Sequence, residues 1–246
     1  MSRSHSVATK QPFPSRSWVM WLGVRMQRVR RALAKGTRAF RRTPGRPGVH
    51  EVTASAWYDA AFLATPSYRL PYWQSDYYFA WSVIGDRLAR SGKARVLEVG
   101  CGTGQLAQLL VEWGVESYTG FDFSEVAVEI AREQVPEATF LVADARTTGL
   151  FESINHDWIV CTEVLEHIEF DLDVINRFPP GVRVLCTVPS FDYTSHVRFF
   201  ANAREVELRY GDHFDDFSVR TLRMPKDGSQ YYFLLEGVRS GTGQTG

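Results

Sequence analysis

The chain has 246 residues, of which 44% are hydrophobic, and its acidic and basic residues are equal in number. This composition excludes a disordered chain and is typical of one soluble globular domain with an extension. Three cysteines, an odd number, exclude a disulfide framework. We therefore expect Cys101, Cys161 and Cys186 to be reduced, buried residues of a cytoplasmic protein.

The zero net charge hides a strong asymmetry along the chain. Residues 1–50 contain twelve Lys or Arg and no acidic residue, whereas the remainder has sixteen basic and twenty-eight acidic residues. Residues 18–42 combine an apolar stripe with an arginine-rich stripe, a pattern typical of an amphipathic helix at a membrane surface or on a partner. The apolar run over 18–24 is too short to cross a bilayer. We interpret residues 1–50 as a basic extension, either a peripheral membrane contact, which would make the cytoplasmic protein membrane-associated, or a solvated tail.

The next segment, residues 51–93, is unusually rich in aromatic side chains. Its second half predicts a helix from about Ser75, as N-cap, to about Ala89. We interpret the segment as a helical cap in front of the main domain. That domain is predicted to span residues 94–240, with a disordered tail at 241–246.

A strand, a glycine turn and an amphipathic helix then follow one another. The turn lies in the sequence Val96-Leu97-Glu98-Val99-Gly100-Cys101-Gly102-Thr103-Gly104. Glycines let backbone N–H groups and a helix N-terminus approach a ligand closely. A dinucleotide fingerprint needs a third glycine where this chain has Gln105, and no Gly-Lys-Ser/Thr follows, which excludes a P-loop. With Glu98 ahead of it, the G-x-G-x-G pattern resembles motif I of the class I S-adenosylmethionine-dependent methyltransferases.

The rest of the chain predicts an α/β fold. Apolar strands alternate with helical patterns, which indicates a parallel sheet covered on both faces. The last two strands are joined through Pro-Lys-Asp-Gly, a turn signal that predicts a hairpin. Strands are predicted near 95–99, 117–121, 138–142, 157–161, 182–188, 212–222 and 230–238, and helices near 104–113, 124–134 and 165–177. The resemblance implies a doubly wound, mostly parallel, seven-stranded Rossmann-like sheet in the order 3-2-1-4-5-7-6, ending in an antiparallel hairpin.

The carboxyl ends of the first strands are expected to bind S-adenosylmethionine. Asp122 follows the second strand, where a carboxylate can accept hydrogen bonds from two ribose hydroxyls; the competing interpretation is a helix N-cap at Asp122 or Ser124. The resemblance places Phe123 against the adenine, and Asp144 with the backbone of Ala145 at its polar edge. The expected cofactor residues are Glu98, Gly100, Cys101, Gly102, Gly104, Asp122, Phe123, Asp144, Ala145 and Thr162.

The fourth strand leads into a cluster of acidic and imidazole groups, in the sequence Thr162-Glu163-Val164-Leu165-Glu166-His167. On a helix, Glu163, Glu166 and His167 would point the same way. This E-x-x-E-H pattern resembles ubiquinone-pathway O-methyltransferases, which implies catalytic roles for His167, as a base, and Glu163. It also resembles small-RNA 2′-O-methyltransferases, in which it binds a metal with a further histidine. Here His213, or less readily His196, would complete a divalent metal site, which is possible but is not the favoured interpretation.

The acceptor side is expected to lie under the cap. At least two of its tyrosines are predicted to line a lid, from the set Tyr58, Tyr68, Tyr72, Tyr77 and Tyr78. Arg198 and Arg204 are interpreted as surface residues rather than as a site for an anionic group.

We predict a methyltransferase acting on a hydroxyl of a small-molecule or lipid-like acceptor. Two alternatives remain: a metal-dependent RNA 2′-O-methyltransferase, and a non-catalytic methyltransferase-like subunit. Nucleic acid is disfavoured as a partner because the chain beyond residue 50 is net acidic.

Overall fold

The structure, a computed structural model, describes residues 50–193, 195–225 and 228–241. The described residues all belong to one compact unit, Val49–Gly246. The helix predicted within residues 18–42 and the tail beyond 241 lie outside the described residues. Within the described ranges, no helix is long and apolar enough to cross a membrane.

One mixed sheet carries the fold, and its strand order β3-β2-β1-β4-β5-β7-β6 confirms the predicted topology. The strands are β1 (Arg95–Val99), β2 (Ser117–Asp122), β3 (Thr139–Val142), β4 (Trp158–Thr162), β5 (Arg183–Pro189), β6 (Phe214–Arg223) and β7 (Tyr231–Arg239). The first five strands pair in parallel, and β7 runs antiparallel to both β5 and β6. All five carboxyl ends of the parallel strands therefore meet at one edge.

Helices connect these strands. In the described part of the chain the α-helices are α1 (His50–Ala64), α2 (Tyr78–Arg90), α3 (Gln105–Glu112), α4 (Glu125–Gln134), α5 (Leu150–Ser153), α6 (Asp171–Asn176) and α7 (Ala203–Tyr210). Short 3₁₀ turns lie at Pro66–Arg69, Tyr72–Gln74, Leu165–His167 and Gly211–His213.

The central strands are buried on both faces because their side chains alternate between two apolar layers. Leu97 and Ile159 pack in one layer, and Val96 and Val160 pack in the other. The three cysteines are free and buried, as predicted. The sheet is thus a rigid platform for the loops at its carboxyl edge.

The chain after β4 departs from the prediction. The helix expected over 165–177 is wrong: the structure has the 3₁₀ turn Leu165–His167, then a break, then α6. Glu163 precedes that turn in the left-handed region, with φ 57°. The guanidinium of Arg198 binds backbone carbonyls of this stretch that a continuous helix would use itself.

Candidate active site

The glycines of the loop between β1 and α3 let neighbouring groups come close to its backbone. Gly100 has φ 70°, and a Cβ there would lie 2.3 Å from Val164 Cγ2, so this glycine lets the loop pack on the segment after β4. Gly102 has φ 51°, and among the described residues a Cβ there would meet only the Phe62 ring, at 3.8 Å. The backbone of the loop therefore remains open to a ligand on the Gly102 side.

Asp122, at the end of β2, is tied to this loop. Its Oδ2 accepts the N–H of Gly102 at 3.0 Å, and its Oδ1 accepts the N–H of Ser124 at 2.9 Å. Burial raises the pKa of Asp122 to about 6, although the backbone hydrogen bonds stabilise the ionised carboxylate and by themselves lower the pKa. Ser124, the competing candidate, is the actual N-cap of α4, because its hydroxyl accepts the N–H of Ala127. Asp122 thus retains lone-pair capacity for further donors.

The other residues predicted to contact the cofactor differ in accessibility. Phe123 is 39% exposed beside Asp122. Asp144 forms an ion pair with Arg146, 2.7 Å between Oδ2 and Nη2, which lowers the pKa of the carboxyl. Glu98 is buried and accepts a hydrogen bond from the Tyr118 hydroxyl on β2. Burial raises the pKa of Glu98 to about 8. Because its hydrogen bond with Tyr118 joins β1 to β2, Glu98 holds these two strands together beneath the loop.

Sequence reasoning missed the role of Gln105. Its side-chain amide donates to the carbonyls of Ser67 at 3.2 Å and Leu70 at 2.6 Å, and the neighbouring Thr103 hydroxyl donates to the Tyr68 carbonyl at 2.5 Å. The residue that replaces the third glycine of a dinucleotide fingerprint therefore anchors the cap to the loop. A glutamine directly after the glycines was the available signal.

The cap tyrosines divide into two groups. Tyr58 reaches both sides of the site, since its ring centroid lies 5.3 Å from Phe123 and 5.9 Å from His167. The ring of Tyr77 packs at a tilt against Tyr232 of β7, with the ring centroids 5.9 Å apart. By contrast, Tyr72 packs in the core and donates to Glu112 at 2.8 Å.

Two carboxyl groups meet at the carboxyl ends of β4 and β5. Glu163 accepts hydrogen bonds from the Thr187 hydroxyl, at 3.0 Å, and from Tyr232. Glu166 is 0% exposed, and apart from its own backbone N–H and the carboxyl of Glu163, no donor group of the described residues reaches its two oxygens. Burial raises the pKa of both carboxyls, to about 7 for Glu163 and well above the ordinary value for Glu166. The pair consequently shares a proton, unless a cation balances Glu166.

Two histidines complete this cluster. Nδ1 of His167 hydrogen-bonds the Ser195 carbonyl at 3.1 Å, and its Nε2 lies 3.9 Å from Glu166 Oε1. His196 has the same arrangement, with Nδ1 bonded to the Phe191 carbonyl at 3.1 Å. Assigning each Nδ1 as the donor leaves each Nε2 with a free lone pair. One ligand atom each from Glu166, His167 and His196 lies within 4.8 Å of the others.

The predicted partner His213 does not join this cluster. It lies at the start of β6, where Nδ1 hydrogen-bonds Asn176 Oδ1 at 2.9 Å. His196 takes its place because the loop after β5 folds back onto the turn after β4. Of the two arginines predicted to be surface residues, Arg204 is an exposed partner of Glu207, as expected, whereas Arg198 is largely buried, with 15% of its side chain exposed.

Comparison with known proteins bears on this arrangement. Residues 96–178 match a methyltransferase domain family. A ubiquinone biosynthesis O-methyltransferase of Vibrio vulnificus (strain YJ016) is 30% identical over 198 residues, covering 76% of this chain and 81% of the relative. The protein YqeM of Bacillus subtilis (strain 168) is 33% identical over 96 residues, and this chain spans only 38% of its length.

Solved structures give the same fold. Magnesium protoporphyrin IX methyltransferase from Synechocystis PCC 6803, solved with bound S-adenosylmethionine, superposes with a TM-score of 0.55 at 18% identity. The superposition covers 80% of this chain and all of that one.

Proposed function

We propose, since this chain belongs to the class I S-adenosylmethionine-dependent methyltransferases, that it methylates a hydroxyl oxygen of a small-molecule or lipid-like acceptor. The observation that carries the proposal is the orientation of His167. Its Nδ1 is committed to the Ser195 carbonyl, so Nε2 is the nitrogen that can accept a proton. The Vibrio relative is by name an O-methyltransferase, which supports an oxygen acceptor.

The residues at the ends of β1 to β3 fit the cofactor. Asp122 has unused lone pairs for ribose hydroxyls, Phe123 offers an exposed ring face, and Gly102 leaves an open approach to the loop. We assign the ribose to Asp122 and the adenine to Phe123, Asp144 and the Ala145 backbone. When bound, the cofactor supplies a methyl group on a positively charged sulfur, which is a good leaving group.

The chain then has two tasks, alignment and proton removal. Burial lowers the pKa of His167 to about 4, so its imidazole is neutral at physiological pH. Its Nε2 accepts the hydroxyl proton as the oxygen attacks, and the carboxyl pair, whose Glu166 lies 3.9 Å away, stabilises the resulting imidazolium with its one negative charge. The proton that the pair shares lies mainly on Glu166, because burial and the contact with Glu163 raise the pKa of Glu166 further than that of Glu163. Tyr58 packs edge-on against His167 and excludes water from it.

We propose that the acceptor carries its reacting hydroxyl on an aromatic ring. Two rings of the loop after β5 flank His196, since Phe191 and Tyr193 lie within 5.9 Å of it, and Phe191 also contacts Tyr232 of β7. Flat rings of this kind favour a planar apolar partner.

The test is transfer of a labelled methyl group to a panel of phenols, catechols, aliphatic alcohols and amines. We expect turnover with hydroxyl acceptors only. His167→Ala should lower kcat about 100- to 10,000-fold, the range for a general base, while the affinity for S-adenosylmethionine is retained. His156→Ala is the matched control, since that histidine bonds only the Ile154 carbonyl away from the site. Methylation of amines alone, or full activity of His167→Ala, would refute the proposal.

A metal-assisted version of the same reaction is the second candidate. The observation that favours it is Glu166, a fully buried carboxyl that no donor side chain of the described residues other than Glu163 reaches, beside two imidazoles that each present Nε2. Both imidazoles bond a backbone carbonyl through Nδ1, as metal-ligating histidines usually do. A divalent cation held by Glu166, His167 and His196 would polarise the acceptor hydroxyl, and this would replace proton removal by a side-chain base.

Chelation separates the two candidates. Loss of turnover in EDTA, with restoration by Mn²⁺ or Zn²⁺ in the wild type but not in His196→Ala, would establish the metal. His213→Ala serves as control, because His213 bonds Asn176 outside the cluster. Unchanged turnover in EDTA would leave His167 as the base. An RNA acceptor is disfavoured by the excess acidity beyond residue 50.

A further inference from the structure

Arg198 lies in the loop between β5 and α7, and it reaches across to the turn after β4. Its Nη1 donates to the carbonyls of Leu165 and Ile168, and its Nη2 donates to the Glu169 carbonyl at 2.8 Å. These carbonyls lie at the first residue of a three-residue 3₁₀ turn and at the two residues after it, and so short a turn does not satisfy them itself. One side chain therefore closes the turn that carries Glu166 and His167.

The main chain joins the same two segments. The N–H of Val197 donates to the Glu166 carbonyl at 2.7 Å. The Ser195 carbonyl, two residues before Val197, accepts Nδ1 of His167. The orientation of His167 thus depends on the alignment of the two segments.

Asp171 balances the buried guanidinium. It is 0% exposed, and its Oδ1 lies 3.2 Å from Nη2 of Arg198. The same carboxylate accepts two hydrogen bonds from Arg209, at 2.8 and 2.5 Å, and one from Tyr210 at 2.7 Å. Two arginines therefore share one carboxylate, but only Arg198 reaches the turn. Among the described residues, the side-chain hydrogen bonds of Arg209 involve Asp171 and Tyr210.

We propose that Arg198 is a positioning residue that holds the turn bearing Glu166 and His167 in alignment with the loop bearing His196. It fixes the direction in which His167 Nε2 points, without itself touching the acceptor. Its planar fork is what serves four oxygens at once, which a lysine ammonium cannot do.

The chain offers a matched pair of variants for the test. Arg198→Gln and Arg209→Gln each remove one of the two arginines from Asp171, and only the first frees the turn. Two-bond ¹H–¹⁵N correlations of the imidazoles in the full-length protein report the tautomer of His167 directly. We expect the fixed Nδ1–H tautomer in the wild type and in Arg209→Gln, and mixed tautomers in Arg198→Gln.

Turnover gives a second readout. Arg198→Gln should lower kcat about 100-fold, as expected for a displaced reacting group, with the KM for S-adenosylmethionine unchanged. Arg209→Gln should leave kcat and this KM near the wild-type values. The kcat of Arg198→Lys should fall between that of the wild type and that of Arg198→Gln. This readout rests on the proposed hydroxyl methylation, whereas the tautomer does not, so failure of one is distinguishable from failure of the other.

Three results would overturn the assignment. The first is a wild-type imidazole spectrum in Arg198→Gln. The second is the same disturbance in Arg209→Gln, which would make the network merely structural. The third is loss of folding in both Arg198 variants while Arg209→Gln remains folded.

Discussion

Replacing Asp122 by asparagine tests the cofactor side of the site. The substitution keeps the shape of the side chain but removes its charge and leaves one oxygen where two accept N–H groups, from Gly102 at 3.0 Å and Ser124 at 2.9 Å. The amide NH₂ then faces one of those donors. Hydrogen bonds to charged groups contribute about 1.5–3 kcal/mol. We therefore expect the Kd for S-adenosylmethionine to rise about 10- to 100-fold.

The pH dependence of binding sharpens this prediction. The pKa of Asp122 is raised from 3.8 to about 6 in the folded protein, so folding favours the protonated form and this group's contribution to stability declines as pH rises between those values. Ribose hydroxyls donate to the ionised form. Affinity should therefore weaken as the pH falls below about 6 in the wild type, and this dependence should vanish in Asp122→Asn.

Calorimetric titration across this pH range is the assay, with Asp157→Asn as control. Asp157 pairs with Arg95 at the opposite edge of the sheet, with 41% of its side chain exposed. Its substitution should leave cofactor affinity unchanged. An unaltered Kd in Asp122→Asn would refute the assignment of the ribose to this carboxylate.

Three further substitutions test the supports of the site. Gly100→Ala would place a Cβ 2.3 Å from Val164 Cγ2 at a positive φ, and should lower the free energy of urea unfolding by about 2–4 kcal/mol, with partial recovery on adding Val164→Ala; full stability would contradict the packing. Tyr118→Phe leaves the buried Glu98 without its donor and should cost about 1–3 kcal/mol by the same method, whereas no loss would mean that the pair is not formed. Gln105→Ala removes both hydrogen bonds to the cap and should speed proteolysis within residues 66–74; an unchanged cleavage rate would show that the cap is held elsewhere.

The sheet could be predicted from the sequence because its signals are local. Each strand is a short apolar run, and alternation with helices predicts a parallel sheet, whereas the strand order was implied by the family resemblance. The strand boundaries fell within two residues of those observed, as for β2 at Ser117–Asp122 and β6 at Phe214–Arg223. The position of Asp122 beside the glycine loop follows from the same alternation, because adjacent parallel strands end at one edge.

The acceptor side could not be predicted as fully because distant contacts determine it. The helix expected after β4 is interrupted where Arg198 binds the backbone carbonyl of Leu165. These two residues are more than thirty positions apart in the sequence. The same fold-back of the chain selects His196 over His213 as the neighbour of His167. Spacing along the chain carries no information on such a contact. The cluster of Glu163, Glu166 and His167 was found, but for the wrong geometric reason, since they do not share a helix.

The most direct test of the account is a calorimetric titration of the full-length protein with S-adenosylmethionine, and separately with NAD. The glycine loop, Asp122 and Gln105 predict one-to-one binding of S-adenosylmethionine with a Kd of roughly micromolar order, and no heat with NAD. Absence of S-adenosylmethionine binding, or binding of NAD in its place, would contradict the central claim.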